Sequence, residues 1–384
     1  MEHNDQLIDV PRGLSGVAVA ETAISDVRGL EGFYQYREWP ATELARTSTF
    51  EEVWHLLVAG HLPDPVELAG FEARIAAARQ LPELGEVLDA ASAVPGPDPV
   101  AGLKAALPLL SARLGMRPVY DLDDEGRLTD AVTLAAATPV LLTGLHRRRA
   151  GLEPLAPLPG RGTVAQYLYQ VTGHEPSVAH ERALSAYLVA AMDHGFNAST
   201  FTARVIASTG ADVASCLAGA LGSLSGPLHG GAPARALDSL DEVGEASRIE
   251  PWVRGQLATG RRIMGFGHAV YRTVDPRAVL LSGVARELGG PRVAFALEFE
   301  QTVERLLAEL KPGRELHANV EFYAAVVMEQ CGIPRELFTA TFALARTVGW
   351  TAHVLEQARD RKIIRPSARY VGPPLAVPVG DAAH

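Results

Sequence analysis

The chain has 384 residues, 47% of them hydrophobic and 21% charged, with a formal net charge of −10. That length holds a large core and two domains. The acidic charge is spread without long runs of one sign, which argues against a nucleic-acid or anionic-membrane surface but still allows a local basic pocket for an anionic ligand. Cys216 and Cys331, the only cysteines, make neither a disulfide framework nor a CxxC site, so a reducing cytoplasm is expected.

The N-terminal stretch MEHNDQLIDVPRG is polar and acidic and has no signal-peptide pattern. GLEGFYQYREW (29–39) is the best candidate for a short hairpin or extended segment. FEEVWHLLVAGHLP (50–63) puts Phe50, Val53, Trp54, Leu57 and Val58 on one helical face, and Gly60 and Pro63 stop it. Similar helical patterns cover 66–78, 101–114, 129–145, 179–192 and 200–221. The longest uncharged run lies between Asp130 and His146. It is shorter than the ~20 residues a membrane span needs and reads as a buried helix. Proline and glycine break the chain at 94–102 and 151–162, and GSLSGPLHGG (222–231) reads as a hinge that carries a histidine. Strand-like alternation is scarce, so the class is mainly α.

Several residues could carry chemistry. His229 precedes a helix-like segment, where positive potential disfavours the imidazolium. A neutral ring there can donate to a developing oxyanion, although a histidine satisfied in its loop is the ordinary alternative. His268 is framed by Gly265 and Gly267, which let backbone approach a ligand. Asp275-Pro276 is an N-cap with proline at the first helical position. It sets Arg277 in the first turn, against the helix dipole, a placement better explained if an anion is held there. GFGHAV lacks the third glycine of a dinucleotide-binding turn. His194, His229, His268, His317 and His353 show no HxxxH or HExxH spacing, so no metal is expected.

DHGFNASTF places His194 and Asn197 at the end of one helix or the start of the next. Arg346, Trp350 and His353 share one helical face, and an arginine on the stripe of Trp350 faces the interior and needs an anion. Arg365 precedes Pro366 in an extended segment beyond the last long helix. In LHANVEFY, Glu321 is a lone carboxylate in an apolar run. With Asn319 as N-cap, a first-turn acid complements the dipole, which keeps it ionised, and needs no further function.

Taken in order, DHGFNASTF, GPLHGGA, GFGHAVYRTVDPRA, NVEFY, ARTVGWTAH and IIRP, with GLSGVAVAETAISDVRG near the N-terminus, resemble the citrate synthase family over about residues 13 to 372. The resemblance implies a mainly α, two-domain cytoplasmic homodimer. A large helical domain, 1–230 with 333–384, would form the dimer, and a smaller helical domain, 231–332, would carry CoA and catalytic residues. It assigns His229 to the thioester carbonyl of acetyl-CoA, His268 to the keto group of oxaloacetate, and Glu321 to the place of the enolising base, normally an aspartate. His194, Asn197, Arg277 and Arg346 would bind oxaloacetate, with Arg365 given across the dimer interface. Met264, Gly265, Gly267 and Arg272 would contact CoA. No cofactor is held permanently; acetyl-CoA, or propionyl-CoA in a 2-methylcitrate synthase, is the co-substrate. Besides Glu321, the chain departs from the pattern at Ala318 (often proline), Gly195 (usually glutamate) and Pro233 (often asparagine). A silent paralogue that binds CoA esters or dicarboxylates is the alternative from another class.

Overall fold

A computed structural model describes residues 7–94, 98–226, 229–230, 232–268 and 270–373, with backbone only at 232–234. The chain divides into two units, one made of Met1–Glu21 with Ile363–His384 and the other of Thr22–Lys362. In the first, Arg12–Leu14 forms a short 3₁₀ turn and Arg369 pairs with Asp9 at 2.9 Å.

The second unit opens with a small antiparallel meander of β1 (Ser25–Arg28), β2 (Phe33–Tyr36) and β3 (Trp39–Pro40). Ser25 faces Tyr36 and Arg28 faces Phe33, so the expected hairpin is present with a third strand. Tyr34 and Tyr36, two residues apart, are both buried, as strand periodicity requires of one face.

Sixteen α-helices are described. The first seven are α1 (Ala41–Thr47), α2 (Phe50–Ala59), α3 (Pro65–Ala78), α4 (Glu83–Ser92), α5 (Pro99–Leu114), α6 (Asp124–Arg149) and α7 (Thr163–Thr172). Next come α8 (Val178–Ala191), α9 (Ala198–Ala207) and α10 (Val213–Leu224). The last six are α11 (Ala232–Val243), α12 (Ile249–Ala258), α13 (Pro276–Leu288), α14 (Pro291–Leu310), α15 (Val320–Gln330) and α16 (Phe338–Asp360).

Polar caps fix where helices begin. Thr49 with Glu52 and Asp64 with Glu67 form reciprocal capping boxes on α2 and α3, each satisfying N–H groups that a helix start leaves unpaired. Gly60 ends α2 in the left-handed region, with φ at 97°, where a side chain would be strained. The pattern at 200–221, read as one helix, is two. Gly210 turns left-handed (φ 83°) and Asp212 caps α10 through the Ser215 N–H, so the chain bends although its apolar spacing continues.

By length and composition α6 could cross a membrane, but 72% of its apolar stretch is buried inside the fold. It and α16 are core helices that pack on each other. Helices α11 to α15, which follow the 222–231 break, cluster together, α11 and α13 against α15 and α12 against α14. That cluster meets the rest of the unit where α13 and α15 touch α8 and α11 touches α16. His194, His268, Arg277, Glu321 and Arg346 lie along this seam.

Candidate active site

The seam is built around the turn that follows α8. Gly349 lets α16 lie against this turn, because a Cβ there would overlap the Met192 carbonyl oxygen. Next to it, fully buried Asp193 accepts the Gly195 N–H at 3.0 Å, His353 Nε2 at 3.1 Å and the Ser25 hydroxyl. Arg204, which can only donate, faces His353 Nδ1 at 3.4 Å, so the His353 proton sits on Nε2, toward Asp193. Burial alone would raise the Asp193 carboxyl, but His353, Arg346 and Ser25 outweigh it and hold it below the usual range. Tyr34 and Tyr36 lock the same turn by donating to the Ala190 and Val189 carbonyls at 3.1 and 2.9 Å.

His194 projects from this turn, with Nε2 2.9 Å from the Tyr271 hydroxyl and its ring 5.7 Å from that of His268. Burial first, then Arg277, Arg346 and His268, pushes its pKa well below the ordinary value, so the ring is neutral at pH 7. Arg346 is buried beneath it. Its Nε donates to the Ala191 carbonyl at 2.7 Å and its guanidinium lies 4.7 Å over the Phe342 ring, but among the described residues its buried Nη1 has no hydrogen-bond partner. Burial lowers its pKa.

His268 and Glu321 hang from the two ends of one short backbone bridge. Gly267 N–H donates to the His317 carbonyl and Asn319 N–H to the Gly265 carbonyl, both at 2.8 Å, with Phe266 opposite Ala318. Gly265 and Gly267 have φ of 85° and 83°. A Cβ on Gly265 would also fall 2.9 Å from Phe322 Cβ, so these glycines serve the packing of the loop on α15 as well as any ligand. Asn319 joins both sides, giving its Nδ2–H to the Gly267 carbonyl at 2.8 Å and capping α15 by accepting the Glu321 N–H at 3.1 Å.

Glu321 is half-buried. Burial raises its pKa to about 7, with Arg277 pulling it down and Asp275 pushing it up. The cap position was expected to keep this acid ionised, but desolvation wins.

Arg277 has the anion its position called for, and that anion is internal. Asp275 Oδ1 accepts the Arg277 backbone N–H and Nε at 3.0 Å each, and Oδ2 accepts Nη2 at 2.9 Å and the Val320 N–H at 3.0 Å. One buried carboxylate thus caps α13, pairs the arginine and anchors the start of α15. Nη2 also faces His268 Nε2 at 3.1 Å. His268 Nδ1 accepts two backbone N–H groups, from Val270 at 2.9 Å and Tyr271 at 3.1 Å, so the neutral ring carries its proton on Nε2. Its pKa is lowered to about 4, first by burial and then by Arg277.

His229 is held by Ser199, whose Oγ lies 2.8 Å from His229 Nε2, 2.8 Å from Asn197 Oδ1 and 3.2 Å from the Trp350 indole nitrogen. Asn197 caps α9, so Ser199 offers its single proton either to Asn197 or to His229 Nε2. In the second arrangement His229 carries its own proton on Nδ1. Burial, then Arg346, lowers its pKa to about 4. Residues 227, 228 and 231 of the expected hinge lie outside the described residues.

The structure therefore draws His194, His268, Arg277, Arg346 and Glu321 into one electrostatic set, and links Asn197 to His229. Met264 is half-buried and leads into the bridge. Arg272 is exposed and its N–H donates to the Gly29 carbonyl at 3.0 Å. Arg365 is exposed in the other unit. Ser199, Tyr271 and Asp193 were not singled out from sequence, since nothing in their spacing marks them; Asp275 was read only as a cap.

The same helical fold is found in solved citrate synthases. The enzyme from Thermotoga maritima superposes with a TM-score of 0.83 at 36% identity, over 97% of this chain and 99% of that one. The Thermoplasma acidophilum citrate synthase, solved as a ternary complex with carboxymethyl coenzyme A and oxaloacetate, gives 0.88 at 27% identity over the same shares. A citrate synthase of Haloferax volcanii is 38% identical over 370 residues, 95% of this chain and 96% of its own length. Residues 13–367 match the family profile described as citrate synthase, C-terminal domain, and the chain belongs to the citrate synthase family.

Proposed function

We propose that the protein condenses acetyl-CoA with oxaloacetate, giving citrate and free CoA, with Glu321 as the base. The observation that carries this reading is the surplus of donors around His268. Its Nε2–H and the Arg277 guanidinium face each other across 3.1 Å, and an oxygen acceptor beside them would take both. A ketone oxygen held there is polarised. Arg346 supports the same reading, because its buried Nη1 has no hydrogen-bond partner among the described residues and a carboxylate would complete it.

A thioester α-C–H is a very weak acid. Glu321 can remove its proton only if the carbonyl oxygen is stabilised as charge develops, and neutral His229, donating from Nδ1 while Ser199 donates to Nε2, supplies that stabilisation. The enol carbon then attacks the ketone carbon, and the new alkoxide takes the Nε2 proton of His268 while Arg277 stays protonated beside it. A proton of the water used next restores His268, and the proton held by Glu321 goes to the leaving thiolate. Water attacks the resulting citryl thioester, and the thiol leaves with a proton. Neutral histidines suit these roles, since a donor of low acidity stabilises a forming oxyanion without first giving its proton away. The helices of 231–332 act in this reading as the smaller body that closes on substrate, and Arg365 comes from the second subunit of a dimer. Both cysteines are buried and free, which suits a reducing cytoplasm.

The test is release of free thiol from acetyl-CoA, and separately from propionyl-CoA, in the presence of oxaloacetate. Wild-type protein is expected to turn over with one or both, Glu321→Asp to retain activity, and Glu321→Gln to lose on the order of a thousandfold. Absence of thiol release with either thioester, or full activity in Glu321→Gln, would sink the proposal.

A further inference from the structure

We infer that Glu304 and Glu300 of α14 are positioning residues for Glu321, gripping the chain on either side of it. They are one helical turn apart and so share a face. Glu304 Oε1 accepts the Ala318 backbone N–H at 2.9 Å, and its Oε2 lies 3.4 Å from His317 Nδ1. Glu300 Oε2 accepts the Tyr323 hydroxyl. Glu321 thus lies between an anchor three residues before it and another two residues after it, both on the same helix.

The Ala318 contact follows from how the bridge is built. In the Phe266–Ala318 pair the hydrogen bonds run through the flanking residues, Gly267 to His317 and Asn319 to Gly265. The N–H of Ala318 therefore points away from the bridge. Ala318 is only 3% exposed, and a buried backbone donor needs a partner. Glu304 is that partner. Without it the strand carrying the His317 carbonyl and the Asn319 cap loses its hydrogen bond to α14, and the same strand sets both His268 and Glu321. Neither glutamate is placed among the groups that meet substrate; they act through the backbone at 318 and the ring at 323.

The kinetic consequence rests on Glu321 being the base, so the test has one arm that depends on turnover and one that does not. In the first, Glu304→Ala is expected to lower kcat by on the order of tenfold to a hundredfold, the scale of a small misplacement of a reacting group, with KM for oxaloacetate within about twofold of wild type. Glu304→Gln, whose amide oxygen still accepts the Ala318 N–H, is expected to restore most of kcat. Tyr323→Phe, losing only a hydroxyl, is expected to lower kcat in the same way. In the second arm, hydrogen exchange of the amides at 318–321 is expected to quicken in Glu304→Ala and not in Glu304→Gln. Unchanged exchange in Glu304→Ala, or an equal kcat loss in the Ala and Gln variants, overturns the inference. Wild-type protein without turnover would overturn the enzymatic reading alone, and the exchange arm would then decide the grip by itself.

Discussion

Arg277 and Arg346 are both 3% exposed, and the fold treats them in opposite ways. At the start of α13, Asp275 meets Arg277 through three N–H groups and raises its pKa despite the burial. In α16, Arg346 hydrogen-bonds one carbonyl, lies over Phe342 and feels the Asp193 carboxylate, yet burial outweighs these and lowers its pKa. A buried cation is tolerable when paired and costly when not. The first arginine is therefore part of the framework, fixed together with the start of α15. The second is a charge that the protein itself completes only partly, which is what a site for an anionic substrate requires. Sequence position asked for an anion at both, at Arg277 against a helix dipole and at Arg346 on an interior stripe, and did not tell them apart.

The largest effect that would test this contrast comes from Asp275→Asn. It leaves Arg277 buried without its counter-charge and weakens the acceptor for the Val320 N–H, a loss of about 3–5 kcal/mol on the scale of broken buried pairs. Denaturant unfolding measures it, and a variant as stable as wild type would mean Arg277 is not held as framework. Arg346→Met is the counterpart. Its stability is expected to stay within about 1 kcal/mol of wild type or rise, because it replaces an incompletely paired buried charge with an apolar chain of similar length. Calorimetric titration with oxaloacetate should show binding weaker by on the order of a hundredfold, the value of one or two charge-assisted hydrogen bonds. If Arg346→Met unfolds as readily as Asp275→Asn, the two arginines do the same job.

How far the sequence revealed this follows from what kind of contact each residue makes. Caps are local, so Asn319 and Asp275 were legible from the few residues around them. The helical patterns read from apolar spacing hold except at 200–221, where the spacing runs through a turn that Gly210 and Asp212 impose, while α1, α4, α7, α12 and α14 were not read. His194, His229, His268, Arg346 and Glu321 stood out through a resemblance carried by short motifs in order, and the structure sets them along the one seam. What could not be read was the set of links across the chain. Ser199 reaches His229 over thirty residues, Asp193 reaches His353 over 160, and Glu304 reaches the turn before Glu321 from another helix. Each is an ordinary polar residue at an ordinary helical or loop position, and its role exists only once the helices are packed. The state of Glu321 was misread for the same reason: the dipole of its own helix is visible in sequence, while desolvation by neighbouring helices is not.

That misreading leads to the smallest of the expected effects and the one that joins stability to activity. The Glu321 carboxyl lies at about 7 in the folded chain against 4.5 ordinarily. Between those values the native state holds a proton that the unfolded state has released. The part of the stability that Glu321 contributes should therefore fall as pH rises from 4.5 through 7, by about 2 kcal/mol after allowing for the partial exposure of the group, and is read as the difference between wild type and Glu321→Gln. Activity should run the other way, since the base works ionised: kcat/KM rises through an apparent pKa near 7 and levels off above it. His229 and His268, at about 4, are largely neutral in the native state over that range and add no step to activity. The unfolded chain protonates them below about 6.5, so their contribution to stability rises with pH and cancels only in a comparison of two proteins that both carry them. Glu321→Gln, an analogue of the protonated acid, separates the two. It should match wild type in unfolding free energy at pH 4, exceed it at pH 8, and remain inactive at both. Equal stability of the two proteins at pH 8 would mean that the acid is ionised without cost, and the rise in kcat/KM should then move down toward pH 4.5 with it.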